Sequence, residues 1–164
     1  MIDSFKLKVL KALTSALEEI TVANGYQHDL AGRVHRGRLL FTQEDGLPHL
    51  AINEPPQMPD GIVAPDGSPS HFTKHPLLIQ GFVEDDRQNP TDPAYLLLAD
   101  VQKRLAIERT RGRGYDILGF GDRIHALRIG QAVVRPPDAV VSDNSFFWLP
   151  VTLEYAEELQ NPFA

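Results

Sequence analysis

Cysteine is absent from this sequence of 164 residues, which excludes disulfides, thiolate metal sites and cysteine nucleophiles. Long apolar runs are missing as well. No stretch approaches the ~20 apolar residues that a membrane-spanning helix needs, and the opening MIDSFKLKVLKAL has neither a signal-peptide core nor a cleavage site. The expectation is a protein that neither spans a membrane nor is conventionally secreted. Basic residues are few beside acidic ones, 16 against 22, for a net charge of −6. General polyanion binders are more often basic, so nonspecific nucleic-acid binding is disfavoured.

What is present reads as ordinary globular protein. Hydrophobic residues make up 42% and charged residues 23%, and the length fits a single domain over 1–164. Asp3 or Ser4 can cap a helix running to about Ala23, with Phe5, Val9, Leu13, Leu17 and Ile20 along one face and Asn24-Gly25 as its stop. Arg33–Thr42 and Leu47–Glu54 read as two strands joined through Asp45-Gly46, a β-hairpin. Pro76–Val83 reads as a central strand, apolar on both faces. Asp92 with Pro93 at the first helical position starts a second helix that runs to about Arg109. Ile124–Ile129, a Gly130-Gln131 turn, Val133-Val134 and the strand Phe146–Tyr155 complete the chain. Pro150 places that last strand at an edge or at a bulge. The order implies an α+β fold, an antiparallel or mixed sheet with two helices packed on one face.

Thirteen prolines are present, and six of them fall between Pro55 and Pro76. Together with Asp60-Gly61 and Asp66-Gly67 they predict a long projecting loop over 55–75, flexible in the isolated protein. Ile62, Val63 and Phe72 are its only apolar anchors and hence its candidate partner-docking residues.

No catalytic pattern rises above background. His71 and His75 have the four-residue spacing of a helical zinc pair, but helix is improbable beside Pro76 and the adjacent glutamate of a hydrolase motif is missing. Glu84-Asp85-Asp86, with Glu54 nearby, could hold Mg²⁺, yet an acidic turn leading into a helix is the commoner meaning. The glycines between Gly112 and Gly121 lack the Lys-Ser/Thr of a phosphate loop, and the arginines from Arg104 to Arg113 suit a helix C-terminus. The expectation is no catalytic residue, no cofactor and no metal. One feature exceeds the bland reading. In the last strand Phe147, Leu149, Val151, Leu153 and Tyr155 supply one apolar face, and Phe146 and Trp148 add two aromatics to the other, which marks them as candidate subunit-interface residues.

Five stretches together resemble the tail terminator proteins (minor tail protein U-like) of long-tailed bacteriophages. They are ALEEITVANGY, RVHRGRLLF, LPHLAINEP, LLIQGFVEDDRQNPTDPAYLLLADVQKRL and VVRPPDAVVSDNSFFWLPVTLEY. The resemblance implies a non-enzymatic α+β subunit of a hexameric ring. Such a ring caps the tail tube at the head-proximal end of the virion tail, stops its polymerisation and presents the head-attachment surface. Its partners would be copies of itself, the tail tube protein and a head-completion or connector protein. DNA would pass through without sequence-specific contact, and assembly would take place in the host cytoplasm. The 55–75 loop has no counterpart in the compact lambda-like members. A head-completion or tail-tube subunit is the nearest alternative, and a metal-dependent nuclease using Glu54, Asp85 and His75 is a more distant one.

Overall fold

The computed structural model describes residues 1–56 and 67–164. Two helices, α1 (Phe5–Glu18) and α2 (Asp92–Thr110), accompany six strands. These are β1 (Val34–Arg36), β2 (His49–Asn53), β3 (Ser70–Val83), β4 (Ile124–Ile129), β5 (Val133–Arg135) and β6 (Ser145–Glu158). Sheet order is β1-β2-β3-β6-β4, with β5 also on β6; β1 and β2 run parallel and every other pair is antiparallel. The fold is therefore α+β with a mixed sheet.

Both helices lie on the same face of the sheet. Alternate residues of the two long strands, Leu77 and Ile79 of β3 with Phe147, Leu149, Val151 and Leu153 of β6, join Val9, Leu13 and Leu17 of α1 and Leu97, Val101 and Leu105 of α2 in one core. Burying an aliphatic side chain of this kind contributes about 2 kcal/mol. The two helices are tied by a buried charge network. Arg104 donates to the Ala16 carbonyl at 2.8 Å and to Glu108 at 2.8 Å and Glu19 at 2.7 Å, while Glu108 also accepts the Leu118 amide at 3.1 Å.

Four sequence expectations change. Helix α1 ends at Glu18 rather than near Ala23, because Ile20-Thr21-Val22 is a β-branched run that favours other conformations. Thr21 instead caps a short 3₁₀ turn, Val22–Asn24, which left-handed Gly25 closes. The hairpin is not formed: β1 and β2 are parallel, so the chain crosses over through residues 37–48. Side-chain bonds hold that crossover in place of a tight turn: Arg33 donates to the Leu47 carbonyl at 2.7 Å, and the Asp45 carboxylate accepts the Thr42 amide at 2.7 Å. Residues 70–75 of the expected loop are strand, paired with the C-terminal end of β6 and burying Thr73 and His75. Finally, Gly130-Gln131 does not reverse the chain, since β4 and β5 follow the same edge of β6 in the same direction. The interruption between them lies opposite Pro150, whose carbonyl accepts the Gly130 amide at 2.8 Å and whose missing N–H faces the same side. Strand β6 is thus internal, and Pro150 imposes its irregularity on the neighbouring strand.

Candidate functional site

The outer face of the sheet, opposite the helices, carries the surplus aromatics. Strand register lines them up in rows: His49 of β2 faces Phe82 of β3, Phe82 faces Phe146 of β6, and the next row sets Gln80 against Trp148 and Trp148 against Val133. Ring centroids step from His49 to Phe82 at 5.1 Å, on to Phe146 at 6.2 Å and to Trp148 at 5.5 Å. Phe41, from the 37–48 crossover, lies over His49 at 4.1 Å, and the Arg38 guanidinium sits 4.7 Å from the Phe41 ring. Residues of the crossover thus roof one end of the outer face.

This roof decides what each aromatic can offer. Phe146 is only 1% exposed and belongs to the chain's own packing, so it has no surface to present, whereas Trp148 stays half-buried. Phe72 lies on β3, outward and partly exposed, with its ring edge-on to His125 at 5.5 Å. It is a strand residue and not a loop anchor. Ile62 and Val63 lie outside the described residues.

Beside the aromatic row, the crossover and the 138–144 segment flank a cleft of about 610 Å³. Phe82 and His49 are in its lining, as are Leu39, Leu40, Val140 and Val141, and Glu84 and Asp143 add acid. Leu40 is 85% and Val140 92% exposed. Among the described residues, the buried side-chain polar atoms without a hydrogen-bond partner are His35 Nε2, His49 Nε2 and Trp148 Nε1, all on outer-face residues. His49 Nδ1 lies 2.9 Å from the Gly46 carbonyl, which can only accept, so Nδ1 carries the proton and Nε2 is a bare acceptor. Burial is the main cause that holds the His49 imidazole below its ordinary pKa and keeps it neutral.

The residues of the nuclease alternative do not assemble. His75 and Glu54 meet at 3.4 Å, and His75 Nδ1 pairs with the Tyr155 hydroxyl at 2.8 Å, burial raising the Tyr155 pKa. Asp85, however, lies past the other end of β3, on the order of 30 Å from His75 at ~3.3 Å per residue. His71 and His75 lie on that extended strand, about 13 Å apart, too far for one metal. Asp86 accepts the Gln88 and Asn89 amides at 2.8 and 2.7 Å and shapes the turn into α2. No group of three or more potential metal ligands occurs among the described residues.

Sequence reading missed Leu39-Leu40 and Val140-Val141 as surface features. It assigned the leucines to a paired strand, and a two-residue apolar run carries no period by which to tell a strand from an exposed loop. The arginine cluster also divides: Arg104 is buried between the helices, while Arg109 and Arg113 reach solvent. No protein-family model matches this chain, and a comparison with curated proteins finds no relative.

Proposed function

We propose that this protein is a structural assembly subunit of the tail-terminator kind. Copies form a ring on the head-proximal end of a phage tail tube, stop its growth and offer the surface for head attachment. The observation that carries this reading is the unfinished outer face of the sheet. One end is roofed by the chain itself, while the adjoining cleft leaves leucines and valines in water beside His49, whose Nε2 has no partner among the described residues. An exposed apolar surface of this kind supports a protein–protein contact.

Electron microscopy of the purified protein tests the proposal directly. Closed rings are expected, and adding them to polymerising tail tube protein should give capped tubes that no longer elongate. Unrestricted tube growth in their presence would overturn the reading, as would Mg²⁺- or Mn²⁺-dependent DNA cleavage abolished by Asp85→Ala.

A further inference from the structure

The cleft has a chemical counterpart on the same chain. Directly after α2, Arg111–Gly114 forms a tight turn and Tyr115 follows it, 75% exposed. Arg113 adopts φ 59°, a left-handed conformation that a non-glycine residue adopts only at a cost. The turn is braced from within: the Tyr115 amide donates to the Gly112 carbonyl at 3.1 Å, and Arg111 pairs with Asp116 at 3.3 Å. Yet the side chains of Arg113 and Tyr115 make no hydrogen bond or ion pair among the described residues, and exposed Arg109 lies close by in sequence, equally unpaired. The result is a rigid basic and aromatic knob.

The cleft offers the reverse. Its walls carry Leu39, Leu40, Val140 and Val141, and its acids Glu84 and Asp143 have no ion-pair partner among the described residues. Exposed Glu44 and Asp85 add to the same charge nearby. Tyrosine and arginine are the side chains that most often anchor protein contacts, the ring filling an apolar pocket while the guanidinium meets carboxylates.

Knob and cleft cannot meet within one molecule. The Ser145 hydroxyl donates to the Pro90 carbonyl, which places the cleft end of β6 beside the start of α2. The knob follows the other end of that 19-residue helix, about 28 Å away at 1.5 Å per residue. We infer that the Arg113–Tyr115 knob of one copy seats in the acid-rimmed apolar cleft of the next, making a heterologous, head-to-tail contact. Because its two halves are different surfaces, the contact repeats from copy to copy until the rotation closes a ring. This rests on the assembly reading and specifies which surfaces carry it.

Sedimentation velocity from micromolar to millimolar protein tests the contact with two variants. Tyr115→Ala/Arg113→Glu lacks the knob and keeps the cleft; Leu40→Asp/Val140→Asp lacks the cleft and keeps the knob. Each should self-associate about 30-fold or more weakly than the wild type, the size of a hot-spot loss. An equimolar mixture should form a dimer that grows no further, since one intact knob still meets one intact cleft. Circular dichroism verifies that both variants are folded. A chain carrying Arg113→Glu together with Glu84→Lys should recover the association that either change alone removes. Variants that keep the wild-type mass, a mixture that stays monomeric, or a wild type that stays monomeric at every concentration would overturn the contact. Rings of normal size in both variants would sink the contact and leave the assembly reading standing. Monomeric variants beside a wild type that associates yet leaves tail tubes growing would support the contact and sink the assembly reading.

Discussion

Gly81 of β3 and Phe147 of β6 face each other in register, and the Phe147 ring fills the space that a β-carbon at position 81 would take. Here the core closes by omission of a side chain. A fully buried ring of the β6 core face lies directly over the strand that supports it.

Gly81→Ala should therefore be among the most damaging small substitutions in the protein. Phe147 has no solvent to move into, being fully buried. The expected loss is about 3 kcal/mol, the upper part of the usual range for overpacking. Urea denaturation followed by circular dichroism measures it. A loss below about 0.5 kcal/mol would mean that the ring can swing aside.

Arg104→Ala should cost about 3–5 kcal/mol, because it leaves the buried Glu108 carboxylate without its hydrogen-bonded cation, with only the half-exposed Arg111 at 3.8 Å beside it. Arg104→Ala combined with Glu108→Ala should cost less than the sum of the two single changes, with a coupling of about 2 kcal/mol. Additive losses would show that the two side chains act separately.

Phe146 and Trp148 should part company under truncation. Phe146→Ala empties a site sealed between Phe82 and Trp148 and should cost about 3–4 kcal/mol. Trp148→Ala removes a half-buried ring and should cost about 1–2 kcal/mol. Equal losses in the monomer would contradict this division of the outer face.

His49 gives the outer face a pH dependence of known sign. Its folded pKa lies below the ordinary histidine value of 6.5, burial being the largest cause, so the unfolded chain takes up the proton first. The stability linked to the neutral ring is complete above 6.5 and is lost as the pH falls from there towards the folded pKa. Asp45 opposes the shift, while His35 and Arg38 reinforce it. Melting temperature should drop between pH 7.5 and 5.5 in the wild type, and His49→Gln should flatten that slope. An unchanged slope in the variant would assign the drop to other groups.

The sequence by itself determined the elements whose signals are local. Ser4 marks the start of α1 through its side chain, Pro93 marks that of α2, and the alternation in β6 picks out which residues face the helices. It also identified Phe146 and Trp148 as surplus to that core. Only the tertiary structure decided what depends on a distant partner. Asp45-Gly46 looks like a hairpin turn until Arg33 and Arg38 draw it into a crossover and β1 pairs in parallel. His71 to His75 looks like loop until the end of β6 supplies a ladder for it. Phe146 looks like interface until Phe82 arrives from another strand and seals it in. Caps, breakers and periodicity act within a few residues and can be read from the chain. Strand direction, and which of two faces is left uncovered, depend on contacts between residues far apart in sequence, where neighbouring residue types carry no record of the pairing.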